Sequence, residues 1–430
     1  MTSEPWPAPR ARGPVDAVVE VPGSKSMTNR ALVLAALSPG DTLIRRPLVS
    51  RDTDLMVGGL RALGVEVQED RPGECLVRSS GPPLAPSAAR VEVGNAGTVA
   101  RFLPPVAALA TGDISFDGDR RMRSRPLGPL IDALRSLGVV LESSRGGMPV
   151  LVHGTGRVAG GEVEVEASAS SQLISGLLLA APAYDAGIQV RHVGPRLPSR
   201  PHLAMTVTML RARGAQVTTI QPDGWIVRSG RLQPGVIDIE PDLSSAAPLL
   251  AAALVTGGRV TVPGWPRSSD QPGAALPALL SQMGAAYVLD ATGLTLWGTG
   301  RISGLDADLA DVGELVPVLA AVAVLAQTPS RLRGVSHLRG QETDRLAALA
   351  GELTRLGGEV RETADGLAVI PRRLHGGVVA TYDDHRMAMA AAVVGLAVEG
   401  VAVENMATTG KTLPEFPALW RRVLNGSESR

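Results

Sequence analysis

Only two of the 42 Lys and Arg residues in the chain are lysines, Lys25 in PGSKSMTNR and Lys411 in TTGKTLPEF. Wherever a positive charge alone suffices, this chain uses Arg. Lys offers a compact ammonium that can give up its proton when desolvated, which Arg does not. Two lysines in small, Ser/Thr/Gly-rich surroundings therefore point to anion binding or proton transfer, with accidental surface lysines as the bland alternative. Ser26 and Arg30 stand beside Lys25; further on come Asn95, Gly97, Thr98 and Arg101 in NAGTVAR, Ser170, Ser171 and Gln172 in SASSQ, and Asp384, His385 and Arg386 in DDHR. Each group opens an apolar run of helical length, and a helix N-terminus presents free N–H groups and a positive dipole end to an anion. Taken singly, each is an ordinary helix cap. Several facing one cleft describe a site for more than one phosphate or carboxylate. Further cations come from DRRMRSRPLGP (Arg120, Arg121, Arg123, Arg125), where solvation accounts for most but Arg125 stands out beside Pro126 at a helix start. In RGQETDRL, Glu342 and Arg345 share a helix face if that segment is helical.

The elements that must position these groups recur six times. A polar or small-residue cluster, then an Ala/Leu/Val-rich helix, begins at Ser24, Asn95, Ser168, Asp242, Gly313 and Asp383, at spacings of 71, 73, 74, 71 and 70 residues. In each unit a second helix runs to a Gly (Gly64, Gly138, Gly214, Gly284, Gly357, Gly426), the expected C-terminal signal. A strand follows each of these glycines except the last. The alternating VDAVVEV, Val15 to Val21, is the expected replacement for that missing strand. Residues 1–22 then belong with 238–430 in one domain and 23–237 form an inserted second domain, three repeats in each. The fold class is α/β, with an open solenoid of six units as the alternative; the varied chemistry of the clusters argues against the solenoid.

Composition narrows the function. A formal net charge of zero and 3% aromatic residues argue against nucleic-acid binding and leave little for base stacking. The single Cys75, in the alternating ECLVRS, excludes an internal disulfide framework and fits a reducing compartment. The first residues, MTSEPWPAPRARGP, lack the long apolar core expected of a signal peptide, and the longest apolar runs, such as Val316 to Ala326, are short of a membrane span. A soluble, cytoplasmic protein is expected. TTGKT lacks the first Gly of a phosphate-binding loop, Asn405 standing there, and Pro414 interrupts the helix. GTGRVAGG and GTGRISG read as hairpin turns. The six His show no metal-ligand spacing and no nucleophile elbow occurs, so no metal is expected.

Seven motifs in order (PGSKSMTNRALVLAAL, GNAGTVAR, RMRSRPLGPL, SASSQL, ETDRLAALA, YDDHRMAMA and GKTLPEFP) resemble those of the 5-enolpyruvylshikimate-3-phosphate synthase family over essentially the whole chain. The Arg-rich, Lys-poor version is similar to that of actinobacterial members. The resemblance implies two domains of three βαβαββ-type units each with a cleft between them, no cofactor, a monomer, and no nucleic-acid or membrane partner. It implies transfer of the enolpyruvyl group of phosphoenolpyruvate to the 5-hydroxyl of shikimate 3-phosphate, with release of phosphate through a tetrahedral intermediate. Carried over by position, Lys25, Ser26, Arg30, Ser170, Ser171, Gln172, Ser199, Glu314, His337 and Gln341 meet shikimate 3-phosphate, the serines around its phosphate. Lys25, Asn95, Gly97, Arg125, Gln172, Arg345, Arg386 and Lys411 meet phosphoenolpyruvate. Glu314, one methylene longer than the family's usual Asp, is the candidate base for the hydroxyl and Glu342 the candidate acid for the methylene carbon. Lys25 and His385 complete the catalytic set.

The chain departs from the pattern at Gln341, where the family commonly has Lys, and at His202, where an aromatic hydroxyl is often found. Gln hydrogen-bonds but transfers no proton. A weakened paralogue that binds shikimate 3-phosphate without efficient turnover is one alternative. The sister transferase acting on UDP-N-acetylglucosamine is another, but its reactive Cys is absent from DRRMRSRP. Two arginine-lined domains repel until anions arrive, so shikimate 3-phosphate is expected to close an open apo form. Small-angle scattering checks this; an unchanged radius of gyration with saturating ligand contradicts it.

Overall fold

The structure, a computed structural model, describes residues 4–426. It consists of two compact units, Gly23–Ile239 and Met1–Pro22 with Glu240–Arg430, residues 1–3 and 427–430 lying outside the described part. Each unit has its own apolar core. No helix among the described residues is long and apolar enough to cross a membrane.

In the unit Gly23–Ile239 the helices are α1 (Lys25–Leu37), α2 (Arg51–Ala62), α3 (Gly97–Ala107), the short α4 (Arg120–Ser124), α5 (Gly128–Ser136), α6 (Gln172–Ala180) and α7 (Arg200–Ala212). α1, α3 and α6 are the Ala/Leu-rich runs of the first three repeats; they pack on one another and bury nearly every side chain. Residues that are apolar all round make a helix that belongs inside a core. α2, α5 and α7 end before Gly64 (φ 87°), Gly138 (φ 88°) and Gly214 (φ 84°), a left-handed backbone that only Gly adopts cheaply. Each repeat carries a four-stranded sheet: Arg90–Gly94 runs parallel to Thr111–Gly118, which pairs antiparallel with Gly147–Thr155, itself antiparallel to Val140–Ser144. The third repeat repeats that order. In the first, the leading strand is Gly235–Asp238, from the end of the unit, paired in parallel with Gly40–Arg45. The third repeat therefore closes back on the first, which an open solenoid does not do.

The other unit contains α8 (Ala247–Thr256), α9 (Leu276–Gln282), α10 (Val316–Ala323), α11 (Arg345–Arg355), α12 (His385–Gly395) and α13 (Phe416–Asn425). Here α8, α10 and α12 are the mutually packed inner trio. The structure corrects the expected role of Val15–Val21. Asp16–Val18 runs parallel to Arg259–Pro263 and completes the fourth repeat's sheet, as Gly235–Asp238 does for the first. The sixth sheet, Gly377–Val379 with Val401–Val403, takes Trp6–Pro7 as its third strand, antiparallel to Val401–Val403. The alternation of VDAVVEV identifies a strand but carries no information about which sheet edge it meets. A second correction concerns the Gly pairs. GTGRVAGG and GTGRISG leave one sheet and enter the next, so they join repeats and are not hairpins.

The close approach of the inner helices is made by small residues. A Cβ on Gly176 of α6 would lie 2.1 Å from the carbonyl oxygen of Arg101 on α3. In an isolated helix Gly→Ala stabilises by about 1 kcal/mol. Here the overlap reverses the sign, and Gly176→Ala is expected to destabilise by roughly 2 kcal/mol, measured as a lower urea midpoint; a raised midpoint refutes the packing argument.

Candidate active site

In each unit the inner helices start at the same end, and the polar clusters of the sequence meet there. Ser24 caps α1, its Oγ accepting from Met27 N at 3.4 Å, so Lys25 is the first residue of the helix. Lys25 Nζ donates to Asp52 Oδ2 at 3.2 Å, and the carboxylate is 1% exposed. In the sequence, SRDTD reads only as the acidic first turn that favours any helix start. Nothing local shows that Asp52 faces the lysine.

Asn29 in the second turn of α1 donates to Thr98 in the first turn of α3 at 2.6 Å. Arg125 Nη1 donates to Asn95 Oδ1 at 3.2 Å and Asn95 O at 3.3 Å. Arg101 donates to Gly97 O at 3.2 Å, to Gln172 Oε1 at 3.4 Å and to Pro126 O at 3.3 Å. All of this converges on Gly97: a Cβ there would lie 2.8 Å from Arg101 Nη1 and 3.0 Å from both Arg125 Nη2 and Gln172 Oε1. The structure thus brings together Asn95, Gly97, Arg125 and Gln172, and adds Arg101. Arg123, its neighbour in DRRMRSRP, instead forms an exposed bidentate pair with Asp117.

The serines are placed differently from one another. Ser170 Oγ accepts from Gln172 N at 3.3 Å and the Ser171 carbonyl accepts from Ser175 N, both at the start of α6. Ser199 precedes α7 with φ 54°, a left-handed conformation uncommon for a non-Gly residue and often kept where function needs it. Ser26 is half-buried, and its carbonyl accepts from Arg30 Nη1 at 3.0 Å. Arg30 is 1% exposed; it also donates to Thr206 Oγ1 (2.7 Å), His202 O (3.0 Å) and Ser175 Oγ (3.3 Å), and its guanidinium lies 5.2 Å from the Phe102 ring centroid. Arg30 therefore ties α1, α6 and α7 together from inside the unit. Among the described residues no cluster of metal-ligating side chains occurs.

The second unit holds a buried charge network. Arg345, the first residue of α11, donates through Nε to Asp384 Oδ2 at 2.7 Å and through Nη2 to Glu342 Oε2 at 2.8 Å. Lys411 Nζ lies 3.5 Å from Glu342 Oε1, and the side chains of all four are at most 8% exposed. Burial alone would lower the pKa of Arg345, but the Asp384 and Glu342 carboxylates outweigh it and hold the group above its ordinary value. Glu342 and Arg345 meet although residues 341–344 are not helical, a correction to the shared-face expectation: Glu342 sits in the bend before α11 and Arg345 turns back to it. Asp384 is the other surprise. It caps α12, accepting from Arg386 N at 2.8 Å, and is fully buried against Arg345, so it holds a cation where the cluster reading made it part of an anion receptor.

His385 is buried, Nδ1 3.6 Å from Asp384 Oδ1. Glu314, in the turn before α10, accepts from Ser244 Oγ at 3.0 Å, and Arg386 Nη2 is 3.7 Å from the same Oε2. A Cβ on Gly313 would come within 2.7 Å of His337 Nε2, which puts that ring against the backbone just before Glu314. Gln341 is half-buried beside Glu342. Asp384→Asn keeps a good helix cap while removing one charge, so it isolates the electrostatic term. It is expected to destabilise by about 3 kcal/mol, read as a lower urea midpoint at unchanged m; a loss near zero contradicts a coupled network.

The sequence model of the family described as EPSP synthase (3-phosphoshikimate 1-carboxyvinyltransferase) matches residues 9–420. Among solved structures, an EPSP synthase from Acinetobacter baumannii is similar at 25% identity and a TM-score of 0.80, with 97% of both chains covered. The enolpyruvyl transferase NikO from Streptomyces tendae shares the fold at 18% identity and a TM-score of 0.74, with 96% of both chains covered.

Proposed function

Because the chain belongs to the EPSP synthase family, we infer that it transfers the enolpyruvyl group of phosphoenolpyruvate to the 5-hydroxyl of shikimate 3-phosphate, and we propose how its residues do so. The reaction is shikimate-pathway enolpyruvyl transfer, and its substrates are small anions. Neither a non-catalytic paralogue nor an enzyme using UDP-N-acetylglucosamine is favoured by that match. The cytoplasm and a monomeric state complete the reading on family grounds.

One observation carries the assignment of roles: the polar ends of Arg101, Arg125 and Gln172 gather at the bare face of Gly97, 2.8–3.0 Å from where a Cβ would stand. The two guanidinium groups there, Arg101 steadied by the Gln172 amide oxygen, suit the phosphate or carboxylate of phosphoenolpyruvate, and a side chain at 97 would crowd them. Asn95 holds Arg125 in place. Lys25 acts as a point charge between the substrates, its ammonium kept by Asp52. Ser26, Ser170, Ser171 and Ser199 receive the phosphate of shikimate 3-phosphate, and Arg30 supports them from beneath by fixing the helices that carry them. His337 and Gln341 line the ring.

Arg345, Arg386 and Lys411 serve the other end of phosphoenolpyruvate. In this structure Arg345 and Lys411 both face Glu342, one at each carboxylate oxygen. A polyanion arriving there competes for the same two cations, and a glutamate that loses them takes up a proton more readily. Glu342 then delivers that proton to the methylene carbon, while Glu314 removes one from the 5-hydroxyl as its oxygen attacks the adjacent carbon. When the tetrahedral intermediate collapses, the methyl carbon returns a proton to the Glu342 carboxylate as the bond to the phosphate oxygen breaks and the enol double bond re-forms. Lys411, beside Glu342, stabilises the departing phosphate, and His385, buried beside Asp384, steadies that end of the network.

Phosphate release from purified protein tests the reading. Turnover is expected with phosphoenolpyruvate plus shikimate 3-phosphate and none above background with UDP-N-acetylglucosamine as acceptor. Shikimate 3-phosphate that binds without any phosphate release overturns it.

A further inference from the structure

The loop that opens the fourth repeat, Asp242–Ser245, matches no motif, yet it touches the carboxylate read as the base. Ser244 Oγ donates to Glu314 Oε2 at 3.0 Å, and the Ser244 carbonyl accepts from Arg386 Nη1 at 3.2 Å. One residue therefore holds both Glu314, before α10, and Arg386, at the start of α12. Ser244 is 3% exposed, whereas the Glu314 side chain is 28% exposed. A half-open glutamate has several staggered rotamers; a fixed hydroxyl selects among them.

The loop is itself pinned. Asp242 Oδ1 accepts from Ser245 N at 2.8 Å, and Gln271 Oε1 accepts from Leu243 N at 3.2 Å. Gln271 is 4% exposed and donates to Glu240 Oε2 and Pro241 O, both at 2.9 Å. A Cβ on Gly273 would lie 2.6 Å from Ser244 N, so the loop has no room to retreat. The neighbouring Ser245 is 1% exposed and its Oγ has no hydrogen-bond partner among the described residues. Engagement of Glu314 is thus a property of Ser244 and not of every hydroxyl in the loop.

We propose that Ser244 is a positioning residue for Glu314: its hydroxyl fixes Oε2 beside Arg386 and so selects the rotamer in which the base meets the substrate hydroxyl. This rests on the assignment of Glu314 as base. The pH profile of kcat tests both, using Ser244→Ala, Ser244→Cys, Ser245→Ala and Glu314→Gln. Cys is close in shape but a weak donor, which covers the case where the alanine variant folds poorly. Glu314→Gln is expected to lose roughly 100-fold or more in kcat. Both Ser244 variants are expected to lose about ten-fold in kcat with KM nearly unchanged. Their acid limb moves to higher pH, because the carboxylate has lost a donor that favours its ionised form. Ser245→Ala stays near wild type. A Ser244 variant with a wild-type profile, or with lower kcat but an unmoved acid limb, overturns the positioning role while leaving the base in place. Wild-type kcat in Glu314→Gln overturns the base assignment and the role of Ser244 with it.

Discussion

Polar groups on separate helices meet at one point only if the helices themselves approach closely, and that constraint governs both units. The inner helices are buried over nearly their whole length, with Gly176 of α6 set directly on the α3 backbone. Bulkier residues would separate the axes and spread the N-terminal clusters apart. Because α1 and α3 touch through Asn29 and Thr98, and α3 and α6 through Arg101 and Gln172, their N-terminal ends form one polar floor. The second unit does the same with α8, α10 and α12, where Ser244, Glu314 and Arg386 are in contact. Packing and site geometry are one problem in this fold.

Electrostatics adds a second requirement. A buried guanidinium is costly unless paired, and breaking such a pair leaves an uncompensated charge. Arg345 is paired with Asp384 and Glu342, and Glu342 also with Lys411. In this structure Arg345 and Lys411 are each already engaged by an internal carboxylate. In the other unit Lys25 is held in the same manner by Asp52.

Much of this was readable beforehand because repetition and end signals are local. Six Ala-rich runs each became a buried helix, and Gly64, Gly138 and Gly214 took the left-handed backbone expected of them. Segments whose meaning depends on a partner were less legible. Val15–Val21 was recognisable as a strand, yet it joined the fourth sheet, and Trp6–Pro7, too short to have a pattern, completed the sixth. Asp52 and Asp384 look like ordinary helix-start acids, and only their neighbours turn them into counter-ions.

The chain alone therefore determined the repeat, the α/β class and the set of residue types able to bind two small anions, since these follow from spacing and chemistry along the backbone. Which carboxylate faces which cation, which serine holds Glu314, and which side chains gather at Gly97 were decided by tertiary structure. Contacts of this kind join residues far apart in the chain, 142 positions for Arg386 and Ser244 and 176 for Arg30 and Thr206. Side-chain pairing of this kind depends on distances of a few tenths of an ångström between helices whose mutual packing no single stretch of sequence encodes.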